Sequence, residues 1–229
     1  FYGERKVKDS VLIVAAHPDD EVLGCGGTIA KMAKDGRNIH VAFLSDGVSS
    51  REVKDIELNR RRVAAKAACD LLGVTSMSFG EMPDNRMDTL ALLDIVKETE
   101  KLISDTKPSM IITHHFGDLN IDHRLTYEAV LTACRPQAGH SVKTLLSFEV
   151  PSSTEWQMAG SALEFHPNWF EDISAFMTIK LEAVKAYKDE LRDWPHPRSI
   201  KGVEYLARWR GATVGVDAAE AFMLCRKVI

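Results

Sequence analysis

The chain has 229 residues, 45% of them hydrophobic, and a formal net charge of −4. This length and apolar content suffice for the core of a single α/β domain over residues 1–229, elaborated in its C-terminal third. Lys and Arg are spread along the chain rather than clustered, so we expect no nucleic-acid partner. No apolar run reaches the roughly 20 residues of a membrane helix. The four Cys residues form no Cys-x-x-Cys pair, and we expect a cytoplasmic protein without a disulfide framework.

The hydrophobic pattern predicts strands that alternate with helices after a loose entry over residues 1–10. Short β-branched and aliphatic runs predict strands over residues 11–15, 38–44, 76–79, 110–113 and 143–148. Apolar residues at helical spacing predict helices over residues 26–34, 51–72, 89–104 and 125–134. Such alternation predicts a parallel sheet with right-handed crossovers.

The region after Pro151 is less regular than the rest of the chain. We expect loops around Trp156 and Trp169, followed by helices over residues 173–188 and 199–211. The apolar segment 221–225 is a candidate edge strand.

A polar cluster, His17, Asp19, Asp20 and Glu21, follows the first predicted strand. Ligands of open α/β sheets bind beyond the carboxyl ends of the strands. Neighbouring carboxylates repel one another unless a cation compensates them, which indicates a bound divalent metal. His17 and Asp20 are spaced to supply two of three ligands, and Asp19 between them suits a general base acting on a metal-bound water. The alternative is that Asp19 and Asp20 cap the next helix.

A second cluster follows the fourth predicted strand and offers four histidine or carboxylate positions: His115, Asp118, Asp122 and His123. His123, near the start of a helix, is our candidate for the third ligand. Two histidines and one carboxylate with an open position suit catalytic zinc and equally a non-haem iron triad. The ligand types therefore leave open whether the metal is Zn²⁺, Fe²⁺ or another divalent ion.

The segment Ala16-His17-Pro18-Asp19-Asp20-Glu21, with Gly24-Cys25-Gly26-Gly27-Thr28 and the downstream Asp122-His123-Arg124, resembles the two signatures of the LmbE-like, PIG-L-related N-acetylglucosaminyl deacetylases. The resemblance implies a Rossmann-like, mostly parallel sheet with helices on both faces. It also implies one zinc ion and hydrolysis of an N-acetyl group from an amino sugar. Matched by position, His17, Asp20 and His123 correspond to the zinc ligands, and Asp19 to the general base.

The resemblance extends to further positions. Many relatives have a histidine three residues before the last zinc ligand, where this chain has Asn120. An Asn amide donates to an oxyanion but supplies no proton, which leaves the general acid open, and Asp122 is a candidate to orient a ligand or Asn120.

Arg61 and Asp84 match positions that hold sugar hydroxyls in relatives, with surface charge and turn formation as alternatives. His196 and Arg198 lie in a Pro-rich loop that either roofs the site or meets a neighbouring subunit of a homo-oligomer. The alternative for this loop is a helix start capped by Ser199.

We therefore predict a zinc-dependent hydrolase that deacetylates an N-acetylglucosamine-type small-molecule sugar or sugar conjugate. One alternative is an amidase acting on a larger thiol or antibiotic conjugate. Another is a non-catalytic Rossmann-like nucleotide-binding module, for which Gly24-x-Gly26-Gly27 is an incomplete fingerprint. A two-metal phosphoesterase would need more ligands than the chain offers.

Overall fold

A computed structural model describes residues 9–45, 55–161 and 163–229. Three predicted features lie wholly or partly outside these ranges: residues 1–8 of the loose entry, the Asp46-Gly47 end of the second predicted strand, and the first turn of the helix expected from Arg51. In chain order the elements are β1 Ser10–Ala15, α1 Asp20–Lys34, β2 Asn38–Ser45, α2 Asp55–Leu72, β3 Ser76–Met82, α3 Leu92–Thr106, β4 Met110–His114, α4 Ile121–Ala133, β5 Thr144–Phe148, β6 Trp169–Asp172, α5 Met177–Ala186, α6 Ile200–Ala212 and β7 Ala219–Lys227.

All of these strands form one seven-stranded sheet in the order β3-β2-β1-β4-β5-β7-β6. The first five in that order are parallel, whereas β7 runs antiparallel to both β5 and β6. The chain winds outward in one direction from β1 and in the other from β4, so the strand order reverses between these two strands. This is the crevice where doubly wound folds bind ligands, and the expected Rossmann-like α/β fold is confirmed.

The helices cover both faces of the sheet because successive strand residues point to opposite sides. Ile13 and Phe43 belong to the core under α1, α2 and α5. Leu12 and Val14 belong to the core under α3 and α4. The buried central strands therefore carry continuous apolar runs, as the sequence pattern indicated.

Four sequence predictions about the elements are wrong: two concern the type or position of a strand, and two concern where a helix begins. The segment 221–225 lies in β7, an inner strand, and Trp169 begins β6, which is the edge strand rather than a loop. The helices α1 and α4 begin at Asp20 and Ile121, six and four residues earlier than the pattern indicated. Their first turns carry polar residues that a search for apolar periodicity passes over, because those residues serve the site instead of the core.

A buried carboxylate fastens the C-terminal strand to a break in α1. At Cys25 the backbone leaves helical geometry (φ −147°, ψ 23°). Beyond the break, the N–H groups of Gly27 and Thr28 donate to Glu220 over 2.8 and 2.7 Å. Lys180, only 2% exposed, pairs with the same carboxylate. The polar groups that the break frees are thus satisfied by the protein itself.

Two glycines of this segment, Gly24 and Gly27, serve close packing. A Cβ on Gly24 would overlap the ring of Phe148, and one on Gly27 would lie 2.8 Å from the side chain of Ile173. Gly26 has ordinary room, with its nearest neighbour at 3.6 Å. Since Glu220 occupies the Gly27 and Thr28 donors, the glycines support helix packing rather than the nucleotide-loop alternative.

Within residues 9–45, 55–161 and 163–229, no helix combines the length and the apolar character that crossing a membrane demands.

The Glu220–Lys180 pair leads to a prediction about stability. Glu220→Ala leaves a buried ammonium unpaired and two N–H groups without an acceptor, so we expect the free energy of unfolding to fall by about 3–5 kcal/mol. The matched control is Glu182→Ala, which removes an exposed partner of Lys185 and should cost less than about 1 kcal/mol. Urea denaturation of both variants measures the difference, and equal losses would contradict the role given to Glu220.

Candidate active site

The site lies where β1 and β4 end side by side in the sheet. The turn from β1 into α1 carries His17, Asp19 and Asp20, and the first turn of α4 carries Asp122 and His123. All five residues are at most 6% exposed. The parallel alignment of two neighbouring strands thus brings together two motifs that are about a hundred residues apart.

His17, Asp20 and His123 form a buried group that could hold a metal ion. His17 Nδ1 lies 3.3 Å from Asp20 Oδ2, and His123 Nε2 lies 3.4 Å from Asp20 Oδ1. Among the described residues, Asp20 Oδ1 and His123 Nε2 find no hydrogen-bond partner. A tetrahedral zinc ion with bonds of about 2.1 Å separates its ligand atoms by roughly 3.4 Å. The donor types suit zinc, and one ligand atom from each residue lies within 4.8 Å of the other two, close enough to share one cation.

Carboxylates face the far side of both imidazoles. His17 Nε2 lies 3.0 Å from Asp122 Oδ2 and 3.2 Å from Asp84 Oδ1. His123 Nδ1 lies 3.1 Å from Asp118 Oδ1. Metal-binding histidines commonly have such partners, which fix the ring orientation and leave the other nitrogen for the ion.

A second group could also hold a metal ion, because ligand atoms of its three residues lie within 4.8 Å of one another: His17, Asp84 and Asp122. Asp122, however, already accepts backbone N–H groups on both oxygens, from Asn85 at 2.6 Å and from Met87 at 3.0 Å. These bonds hold the loop after β3 against α4. The first group, with its unpaired ligand atoms, is the better cation site.

The electrostatics of the cluster show how strongly it requires positive charge. Burial alone would lower the pKa of His123, but Asp20 and Asp118 outweigh it and raise the pKa to about 10. For His17, hydrogen bonds with Asp122 and Asp20 likewise outweigh burial and raise the pKa to about 9. Burial would raise the pKa of Asp20, yet His123 and His114 hold it well below its usual range. The carboxylates thus keep protons on two imidazoles, a compensation that a bound cation would supply instead.

Asp19 is held in an unusual conformation. Its φ of +123° is rare for a residue with a side chain, and its N–H donates to Glu21 Oε2 over 3.0 Å. Its own side chain makes no cap hydrogen bond to α1, so the capping alternative does not account for this residue. Backbone strain of this kind costs about 1–3 kcal/mol and often marks functional positions.

Two arginines hold one oxygen of Asp19. Oδ2 accepts a hydrogen bond from Arg198 at 3.1 Å and lies 3.4 Å from Arg61. Oδ1 is buried and has no hydrogen-bond partner among the described residues. Burial raises the pKa of the Asp19 carboxyl above its ordinary value, and the two guanidinium groups offset part of that rise.

The other residues singled out from the sequence are distributed around this centre. Arg61 is only 7% exposed and donates to the Pro18 carbonyl over 2.9 Å. Arg198 contacts Asp19. Ser199 caps α6, which is the role that the alternative prediction gave to this loop. His196 instead accepts a hydrogen bond from the Arg198 N–H and packs edge-on against Trp156. Asn120 caps α4 by accepting from the Asp122 N–H over 2.8 Å.

Sequence reasoning did not assign roles to two groups that shape the site. Asp118, placed in the second cluster by its spacing, also binds Ser153 and Thr154 of the turn after β5. Tyr187 donates to Glu21 over 2.5 Å from the end of α5. No local motif marks Ser153, Thr154 or Tyr187, because their roles depend on contacts across the fold.

We expect removal of a proposed ligand to abolish tight metal binding. His123→Ala and Asp20→Asn should lower zinc affinity by more than about 100-fold, and Asp118→Asn, which loosens His123, by about 10- to 100-fold. His166→Ala is the matched control because that imidazole is 75% exposed. Competition against a fluorescent zinc chelator measures the affinities. Wild-type affinity in His123→Ala would contradict this assignment.

Comparison with known proteins identifies the family. Residues 12–134, more than half of the chain, match the family model described as PIG-L, GlcNAc-PI de-N-acetylase. The deacetylase YaiS of Escherichia coli is 29% identical over 187 residues, covering 79% of this chain and 91% of the relative. The diacetylchitobiose deacetylase of Thermococcus kodakarensis is 31% identical over 196 residues, covering 79% and 69%.

A solved structure shows the same fold along nearly the whole chain. The 4-carboxy-2-hydroxymuconate hydratase GalB of Pseudomonas putida superposes with a TM-score of 0.77 at 23% identity, covering 96% of this chain and 98% of that one. The family match and the 31% identity to a named deacetylase rest on the sequence itself. The chain therefore belongs to the PIG-L family, which confirms the resemblance drawn from its two motifs.

Proposed function

We propose that this chain hydrolyses the N-acetyl group of an N-acetylglucosamine-type sugar or sugar conjugate, with zinc held by His17, Asp20 and His123. Membership of the PIG-L family and the deacetylases among its relatives support this activity. The observation that carries the proposal is the difference between the two carboxylate oxygens of Asp19. One carboxylate oxygen is fixed by arginines, and the other is buried without a hydrogen-bond partner among the described residues, in a residue that directly precedes the candidate ligand Asp20.

Each group has a distinct part in this chemistry. A zinc ion held by the three ligands would polarise the amide carbonyl and lower the pKa of the attacking water. Asp19 accepts the proton of that water on its unpaired oxygen and returns it to the departing nitrogen. The products are acetate and a free amine. Because burial raises its pKa, Asp19 can hold a proton between these two steps more readily than an exposed carboxylate.

Arg198 and Arg61 act on Asp19 from the side opposite its unpaired oxygen. Both guanidinium groups approach Oδ2, which leaves only Oδ1 to meet the proton. Arg61 also pairs with Glu190 and with the Pro18 carbonyl, so its position is fixed by the protein. We therefore assign both arginines to positioning the base; for Arg61 this replaces the sugar contact that the family resemblance implied.

Asn120 has a supporting part. Its amide oxygen caps α4, and its Nδ2 donates to Asn85 Oδ1 over 3.0 Å. Through these bonds it holds the first turn of α4, with Asp122 and His123, against the loop after β3. We assign the return of the proton to Asp19 because the Asn120 amide has no titratable proton to give.

Replacing the proposed base should stop turnover and leave the fold intact. We expect Asp19→Asn to lower kcat for acetate release by about 10²- to 10⁴-fold, because the amide keeps the shape but accepts no proton. The substrates are N-acetylglucosamine, its nucleotide-linked form and N,N'-diacetylchitobiose, and acetate is measured enzymatically. Zinc-stripped wild type should lose the same activity and recover it when zinc is restored.

The matched control is Asp35→Asn, an exposed aspartate at the end of α1, which should turn over as wild type. Undiminished acetate release by Asp19→Asn would contradict the assignment of the base. Acetate release distinguishes deacetylation from hydration, and this distinction is needed because the hydratase GalB has the same fold. Bound zinc without acetate from any of these sugars would favour an amidase acting on a larger conjugate.

The assignment of Arg198 yields a separate prediction. Arg198→Lys keeps the charge but loses the planar contact, so we expect kcat to fall by about 10- to 100-fold with KM changed less than about threefold. Arg192→Lys, an exposed arginine that precedes the same loop, is the control. A raised KM with unchanged kcat would instead show that Arg198 binds the sugar.

A further inference from the structure

We propose that the indole ring of Trp156 is a stacking surface for a second pyranose ring, joined to the sugar that is deacetylated. The inference rests on the proposed function and names its substrate class: a disaccharide or longer saccharide in preference to free N-acetylglucosamine. It concerns a residue that neither the sequence motifs nor the metal group assigns.

The first observation is that Trp156 is exposed. The residue is 52% exposed and ends a single 3-10 turn over Thr154–Trp156. The ring meets His196 edge-on, with centroids 5.9 Å apart and an interplanar angle of 84°. Because this contact is edge-on, it does not stack on the face of the indole. The C–H face of a pyranose is an apolar surface of the kind that packs on an aromatic ring.

The second observation is that the turn carrying Trp156 is rigidly held. Thr154 Oγ1 accepts from the Val150 N–H at 2.8 Å and donates to Asp118 Oδ2 at 2.6 Å. Ser153 donates to the other oxygen of Asp118, and Glu155 accepts from the Ser152 N–H at 2.6 Å. A turn fixed in advance loses little conformational entropy on binding, which favours a preformed ligand surface.

The third observation is that the same turn contacts both halves of the candidate active site. Asp118 lies 3.1 Å from His123 Nδ1. On the other side, Ser152 Oγ accepts from Arg198 Nε at 2.6 Å, and Arg198 reaches Asp19 at 3.1 Å. The turn of Trp156 thus reaches the metal group through the side chain of Asp118, and it reaches the base through the side chain of Arg198. This places it at the rim, where a ring beyond the reacting sugar would lie.

His196 completes the surface with a polar group. Its Nδ1 accepts from the Arg198 N–H at 3.1 Å, so the hydrogen of the neutral ring is on Nε2. An Nε2–H beside an exposed indole is a donor suited to a sugar hydroxyl. An apolar face with one adjacent donor is the composition expected for a saccharide site.

The other exposed tryptophans lie outside the turn that binds Asp118. Trp194 meets Tyr205 of α6, and Trp209 is 66% exposed near the C-terminal end of α6. Trp209 therefore provides a matched control, since it is a tryptophan of similar exposure outside the turn that binds Asp118.

The test compares the kcat/KM ratio of N,N'-diacetylchitobiose to N-acetylglucosamine in zinc-loaded enzymes. We expect the ratio to fall about three- to tenfold in Trp156→Ala, to be largely restored in Trp156→Phe, and to stay at the wild-type value in Trp209→Ala. A wild-type ratio in Trp156→Ala overturns the proposal, as does an equal fall in Trp209→Ala. The proposal is also overturned if Trp156→Ala lowers kcat/KM only for an aryl N-acetylglucosaminide, because the surface would then bind a flat aglycone.

A binding measurement separates this inference from the proposed function. Calorimetry with N,N'-diacetylchitobiose uses the Asp19→Asn protein, with and without Trp156→Ala, so that no turnover is required. A three- to tenfold higher Kd with Trp156→Ala supports the stacking surface even if no sugar is deacetylated. Equal affinity, or no measurable binding to either protein, overturns it. Circular dichroism of each variant confirms that the fold is retained.

Discussion

The structure depends on the burial of several carboxylates at one point between β1 and β4. Asp19, Asp20, Asp118 and Asp122 are each at most 2% exposed. Such charges are costly away from water unless cations or donors compensate them. Here the compensation comes from two imidazoles, two guanidinium groups and backbone N–H groups. The three-residue group that fits a cation lies at the centre of this arrangement.

That constraint explains why the C-terminal third is built onto an otherwise ordinary doubly wound sheet. Arg198 crosses to Asp19, the turn after β5 binds Asp118, and Glu220 satisfies the break in α1 just beyond the first motif. Each contact supplies charge or hydrogen bonds that the N-terminal half lacks. The irregular region is therefore part of the site's support, and its loops also form the rim where Trp156 lies.

The position of Asp19 combines strain with restraint. Its backbone has a positive φ, its N–H is bound by Glu21, and one carboxylate oxygen is held by arginines. Interactions from three different parts of the chain thus determine where the second oxygen points. Prior organisation of this kind suits a proton acceptor, because little reorganisation remains at the moment of reaction.

The sequence by itself determined the alternating strands and helices, the two polar clusters at strand ends, and the three ligand candidates His17, Asp20 and His123. These features are local, since they depend on periodicity and on spacing within a single turn. Only the tertiary structure decided the inner position of β7, the early starts of α1 and α4, and the partners of Asp19. Arg198 lies 179 positions from Asp19, and its contact depends on how α6 packs rather than on any nearby pattern. Local spacing could therefore name the candidate site residues, but only the packed fold could show what holds them.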